Sequence, residues 1–198
     1  LGAALDVVGR DRLLDPIEIV GLHRPAHLDR ESTYSAFRRT QVGNRFVWHI
    51  HGELDAPRTI LLGFHQYAGY VQKLRGYLTA TKKTSPFRRG LENFDRSGER
   101  FSWVDLFLRD DVHIVGLTLD YVELHLWWLI AYKLRLSSQG RLCGSTTFYH
   151  LRIPDEGSEI ANRLSMLRDL RVRVHEIDVN NFDWVRAHEN AFDLIEAS

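Results

Sequence analysis

The chain has one cysteine, Cys143, in 198 residues, and that scarcity removes two kinds of architecture. An internal disulfide needs two cysteines, and a cysteine-rich zinc site needs more. Without a disulfide framework, a reducing cytoplasm is the expected compartment. Excess charge of one sign is also missing, since 26 Lys and Arg balance 26 Asp and Glu. No net field therefore gathers nucleic acid or an anionic membrane surface, and neither is expected as a partner. The longest apolar run, Leu124 to Leu134, is broken by His125 and Lys133 and falls short of the roughly 20 residues of a membrane span. Nor do the first residues read as a secretory leader. There is no Gly-x-Gly-x-x-Gly run, no phosphate loop ending in Lys-Ser/Thr and no nucleophile elbow, which excludes a complete nucleoside triphosphate site.

What is present suits a globular protein: 44% hydrophobic residues over a length that supports one full core. No internal repeat recurs at a fixed period. The chain is organised around Asp111 to Leu136, DVHIVGLTLDYVELHLWWLIAYKLRL. Val112 to Val115 reads as a strand, Gly116 breaks it, and from Thr118 the apolar residues follow helical spacing. The first amides of a helix have no intrahelical partner and attract anionic or hydroxyl-rich ligands. Thr118 is expected to cap that helix, with Gly116 letting a ligand approach the backbone. Asp120 and Glu123 are expected in its first turn, where carboxylates favour the dipole without any further role.

Around this stretch the reading is helix over Leu1 to Leu14, a short strand over Ile17 to Gly21, and a long loop from His23 to Thr40. Arg45 to His51 alternates and reads as a strand, with a second, shorter one over Thr59 to Gly63. His65 to Lys83 has the stripe Tyr67, Tyr70, Val71, Leu74 and Leu78 of a surface-packed helix. Residues 64–110 are read as a helical lid or insertion, with Ser85 to Arg100 as its loose part and Ser102 to Leu108 as a short helix that buries Trp103 and Phe107. Strand over Ser145 to Ile153, helix over Ser158 to Leu170, strand over Arg171 to Val179 and helix over Phe182 to Ala197 follow. The last helix is expected to bury Val185, Phe192 and Ile195. Alternating strands and helices build part of an α/β doubly wound parallel sheet with helices on both faces. Ligands sit beyond the carboxyl ends of such strands, here Gly116 to Thr118, Pro154 to Gly157 and Val179 to Asn181. If Arg45 to His51 joins the same sheet in parallel, His51 points into that crevice.

Trp48-His49-Ile50-His51-Gly52 is the most informative short stretch. It ends a strand in a titratable ring followed by a residue that admits a ligand, which makes His51 the first candidate for a catalytic base. The alternative is that His49 and His51 share a face and bond neighbouring backbone. A metal site in which His65 or Asp55 completes the pair finds no acidic ligand cluster and no helical His pair nearby, so no metal is expected.

Two stretches together resemble the sirtuin-like domains of bacterial antiphage defence proteins. Trp48 to Tyr67, WHIHGELDAPRTILLGFHQY, is similar to the family's strand ending in His-Gly, with its Pro-bearing turn, short apolar strand and Tyr. In Ser102 to Leu136, Val115-Gly116-Leu117-Thr118-Leu119 stands where sirtuins have Gly-Thr-Ser-Leu, and Glu123 to Leu129 is similar to the defence branch. The resemblance covers about Phe46 to Ile153. It implies a Rossmann-like, NAD-binding domain with His51 as the base near the nicotinamide ribose and Gly52 beside it. Gly116, Leu117 and Thr118 would lie against the adenosine half, and Asp155 stands where sirtuins end a strand in Ile-Asn. The family's Gly-Ala-Gly-x-Ser loop and Thr-x-Asn segment are not in this chain, so the expectation is a single domain lacking its first strand-loop-helix unit, a fragment whose earlier part lies before Leu1. The zinc cysteines of deacetylases are missing as well. The resemblance thus implies an NAD hydrolase that releases nicotinamide in defence, without a metal. The alternative is an inactive scaffold for oligomerisation or nucleotide sensing, in which the Trp-rich central helix forms a homo-oligomer interface or meets other domains of a longer protein.

Overall fold

Three β-rich runs, each followed by a helix, build the parallel part of the protein. The structure, a computed structural model, describes residues 22–25, 38–42, 45–52, 54, 60–61, 63–79, 103–141, 143–154 and 156–197. Its contacts divide the chain into two compact units. The first takes in Leu1–Leu106 and Val122–His125, and the second Phe107–Tyr121 and Leu126–Ser198.

In the first unit, β1 (Leu22–Pro25), β2 (Arg38–Val42) and β3 (Arg45–Val47) form an antiparallel sheet in the order β1-β2-β3. Two expectations fail here. The stretch His23 to Thr40 contains strand residues at both ends rather than being loop throughout, and β3 stops at Val47 and pairs antiparallel with β2, not with the parallel sheet. Polar strands such as RRTQV carry too little apolar alternation to be seen as strands in a sequence. Beyond β3, Trp48 and Ile50 are buried while the chain turns, so alternation persists for a few residues after the ladder ends. Ile60 and Leu61 are not in a strand. Helix α1 (Phe64–Thr79) buries Tyr70, Leu74 and Leu78, one residue per turn on a single face, as its spacing predicts. Helix α2 (Trp103–Arg109) straddles the division between units, with Trp103 and Phe107 both buried. The expected helix over Leu1 to Leu14, the strand over Ile17 to Gly21 and the loose part of the lid lie outside the described residues.

In the second unit, β4 (Val112–Val115), β5 (Thr146–Arg152) and β6 (Arg173–Asp178) form a parallel sheet in the order β4-β5-β6. Ile114 stands opposite Phe148, and Phe148 opposite Val174. Helices α3 (Leu124–Ser138) and α4 (Ser158–Asp169) make the two crossovers that parallel pairing demands. Helix α5 (Trp184–Glu196) packs Ala187 and Ala191 on Tyr149, Ile177 and Val179, with Val115, Leu151 and Ile195 alongside. Its expected apolar face is therefore corrected. Small residues at four-residue spacing let the helix approach the sheet, which leaves Val185 71% and Phe192 42% exposed. Among the described residues no helix is long and apolar enough to cross a membrane.

The central helix also starts later than its pattern suggests, at Leu124 instead of Thr118. Leu117 to Asp120 is irregular, and Leu119 takes a positive φ of 48° while its side chain is fully buried. Leu119 thus anchors a loop while mimicking a helical position. Thr118 is exposed and caps nothing; its carbonyl accepts from Arg163 Nη1 of α4 at 3.0 Å. Neither Asp120 nor Glu123 is in the first helical turn, and Glu123 is the residue just before it.

At the amino ends of β4 and β5, Lys133 is buried within α3 and donates to the carbonyls of Asp110 and Ser145 at 3.0 and 2.9 Å. The Asp111 carboxylate accepts from the amide and hydroxyl of Ser145, both at 2.7 Å. This network stands at the strand ends away from where α/β sheets take ligands, so it holds the sheet together. Burial lowers the Lys133 pKa from 10.5 to about 8, against the opposing pull of Cys143, Asp111 and Asp110. Below about 8 the fold must carry a charged, partly desolvated ammonium; between about 8 and 10.5 the unfolded chain binds more protons than the fold, so stability from this group rises with pH. Urea unfolding of wild type and Lys133→Met at about pH 7 and about pH 9.5 should show the difference moving in favour of wild type at the higher pH. A pH-independent difference would contradict the assignment.

Candidate functional site

His51 is positioned by a turn that the sequence builds from alternating burial and one glycine. Trp48 and Ile50 point into the first unit's core, and Gly52, at φ 102°, reverses the chain in a conformation that side chains disfavour. The Gly52 amide donates to the His49 carbonyl and the Leu61 amide to the His51 carbonyl, both at 3.0 Å. The ring of His51 is left about one-fifth exposed.

Its Nε2 lies 2.9 Å from Oε2 of Glu123, a residue 72 positions away in the sequence. An ionised carboxylate only accepts, so Nε2 carries a proton, and whenever the ring has a single proton its lone pair falls on Nδ1. Two residues beyond Glu123, His125 is completely buried. Its Nδ1 is 3.7 Å from the same Glu123 oxygen, outside hydrogen-bond range, and among the described residues neither ring nitrogen has a hydrogen-bond partner. Three rings enclose it. Tyr67 stacks at 5.5 Å between centroids, Tyr70 lies at 5.1 Å and His51 meets it edge-on at 5.2 Å. Burial, and then the neighbouring His51, hold the His125 pKa well below 6.5, so the imidazole is neutral at physiological pH. Tyr67, half-buried, is raised above 10 by burial and by the Glu123 carboxylate.

All five of these residues belong to the first unit. They make an imidazole whose tautomer and orientation are set by a carboxylate, on an aromatic wall that excludes water from one side. Such a pair can accept a proton from a substrate hydroxyl or water. The Glu123, His51 and His125 ligand atoms also lie within 4.8 Å of one another. His49 is half-buried and His65 exposed, and neither joins that group; Asp55 lies outside the described residues.

The remaining predicted residues belong elsewhere. Gly116, Leu117 and Thr118 follow β4 in the second unit, and Asp155 is outside the described residues. Gly116 has a φ of 70°, and a Cβ there would stand 3.2 Å from Nε2 of His188, a residue of α5. The ring is held by Nδ1 donating to the Trp184 carbonyl at 2.6 Å. The space a side chain would take at Gly116 therefore receives His188. Beyond the carboxyl ends of β5 and β6, Arg152, Ile153, Pro154, Glu156, Asp178, Val179 and Asn180 line an open groove of about 410 Å³. Glu156 organises it, accepting from the Ile153 amide at 3.0 Å and pairing with His150 Nε2 at 2.6 Å.

The sequence singles out His51 and Gly52 as candidates, whereas Glu123 reads from it as a helix-dipole residue and His125 as an interruption of an apolar run. The signal available for His125 was a polar ring inside an otherwise apolar run; its partner more than seventy residues earlier has no local spacing to reveal it. No protein-family model, no curated protein and no solved structure matches this chain. Gly116→Ala should cost about 1–2 kcal/mol from left-handed backbone strain, with a further loss as His188 is displaced. Chemical denaturation read through the second unit checks this; unchanged stability would contradict the packing of His188 on Gly116.

Proposed function

We propose that the protein is a sirtuin-like NAD hydrolase that releases nicotinamide, acting in antiphage defence, with His51 as its base. The observation that carries this reading is the 2.9 Å pairing of His51 with Glu123. It gives the histidine of the family-like His-Gly turn a carboxylate partner that fixes its tautomer. The chemistry breaks the bond between the ribose anomeric carbon and the nicotinamide nitrogen, and water supplies the new hydroxyl. Nδ1 of His51 takes a proton from that water or from a ribose hydroxyl as positive charge develops on the sugar, and nicotinamide leaves as the neutral base.

The second unit supports the nucleotide half of the proposal. Its parallel strands, with a glycine turn after β4 and a groove beyond β5 and β6, are what a Rossmann-like, doubly wound sheet requires at its ligand-bearing edge. On this reading Gly116, Leu117, Thr118 and Asp155 contact NAD, as the resemblance implies, and the protein works in the cytoplasm.

A second reading, an inactive scaffold that self-associates, gains its support from a different helix than the sequence suggested. Trp127 and Trp128 of α3 are half-buried, and Trp127 Nε1 donates to the Asp120 carbonyl at 3.2 Å. It is α5 that exposes Trp184, Val185, Phe192 and Leu194.

Nicotinamide release from NAD tests the leading reading. His51→Ala should lower the rate by about 10²–10⁴-fold, and Glu123→Gln by part of that, with the circular dichroism of each variant unchanged. Full activity in His51→Ala would overturn it. No activity in wild type, together with a dimer mass in light scattering that Val185→Glu abolishes, would favour the scaffold.

A further inference from the structure

We infer that His51, Glu123 and His125 form a binding site for a divalent transition ion such as Zn²⁺, and that its occupancy switches the His51 base off. The binding claim stands on geometry alone, whereas the switching claim rests on the hydrolase reading above.

Three facts carry the site. The ligand atoms of the three residues lie within 4.8 Å of one another, and one Glu123 oxygen is 2.9 Å from His51 Nε2 and 3.7 Å from His125 Nδ1. Tetrahedral ligands at bond lengths of ~2.0–2.1 Å stand about 3.3 Å apart, so these two separations bracket the distance required. The third fact is His125 itself. It is completely buried and, among the described residues, both of its ring nitrogens lack a hydrogen-bond partner, an uncompensated desolvation cost in an ordinary core. A metal ion accepting the lone pair of the nitrogen that faces Glu123 removes part of that cost.

The donor set chooses the ion. Two imidazoles and one carboxylate suit Zn²⁺, Co²⁺ or Fe²⁺, while Mg²⁺ and Ca²⁺ prefer all-oxygen shells. Three protein ligands leave a fourth position open, and His51 and Glu123 are both partly exposed. Tyr67 and Tyr70 pack against the His125 ring and hold its plane.

Binding would place the ion where the proton between His51 and Glu123 now sits. The proton on Nε2 leaves to solvent and Nδ1 takes one up from solvent, a change of tautomer with no net release, so the neutral imidazole bound through Nε2 carries its one proton on Nδ1. The Nδ1 lone pair that serves as base is then gone.

The test titrates Co²⁺ and Zn²⁺ into the metal-free full chain. Expected is one ion per chain by calorimetry, with the visible absorption of tetrahedral Co²⁺. Glu123→Gln and His51→Gln should each weaken binding by more than the roughly 10–100-fold that losing a supporting partner costs, and His65→Gln should leave it intact. His125→Gln is a third variant, read only where its circular dichroism matches wild type. No stoichiometric binding to the folded chain, or binding indifferent to Glu123→Gln and His51→Gln, overturns the site. Nicotinamide release falling in proportion to occupancy supports the switch, and release unchanged at full occupancy overturns it. Stoichiometric binding by a chain that never cleaves NAD supports the site and removes the hydrolase reading.

Discussion

The carboxylate of Glu123 joins two parts of the first unit that the sequence holds 72 residues apart, the His-Gly turn and the entry to the central helix. Its oxygen faces one partly exposed imidazole and one that is fully buried. Much of the surrounding architecture serves that meeting. The turn at Gly52 presents His51, the late start of α3 leaves Glu123 outside the helical hydrogen bonds, and α1 supplies Tyr67 and Tyr70 as walls for His125. A buried imidazole without a hydrogen-bond partner is costly in a core whose only task is packing. Its retention beside a carboxylate and a second histidine is the strongest chemical signal among the described residues.

The second unit contributes a different kind of order. Its stability lies in the parallel ladder, the α5 contact through Ala187 and Ala191, and the Lys133 network at the strands' amino ends. Gly144 belongs to that network's geometry, because a Cβ there would overlap the Asp110 carbonyl. At the carboxyl ends of β5 and β6 the ties are more exposed, Arg152 pairing with Asp178 at 2.6 Å. There the chain places the Gly116 turn, with His188 seated on it, and the groove organised by Glu156. In α/β sheets ligands bind beyond the carboxyl ends of the strands, which is where these features stand.

The legible part of the sequence was local. The helical stripe of α1, the β4-to-α5 alternation of strands and helices, and the special character of Trp48 to Gly52 were all visible within short windows. What escaped was decided by distant residues. Leu119 and Val122 continue the helical period of α3 on paper, but Leu119 is pinned in the core with a positive φ and Val122 is exposed. Val185 and Phe192 are the larger apolar residues of α5, yet the sheet accepts the small ones because only they allow close approach. The strands β1 and β2 are too polar to announce themselves, and β3 ends where backbone pairing ends, although side-chain alternation runs on to Ile50. Glu123 and His125 acquire their chemistry only when His51 is brought to them.

The most direct measurement is side-chain ¹⁵N–¹H NMR of the histidines in the metal-free protein, comparing wild type with Glu123→Gln. The account predicts that His51 carries a proton on Nε2 in wild type, and that His51 and His125 signals shift on substitution while those of His113, His150, His175 and His188 stay in place. A His51 ring protonated on Nδ1 instead, or signals indifferent to Glu123→Gln, would contradict it.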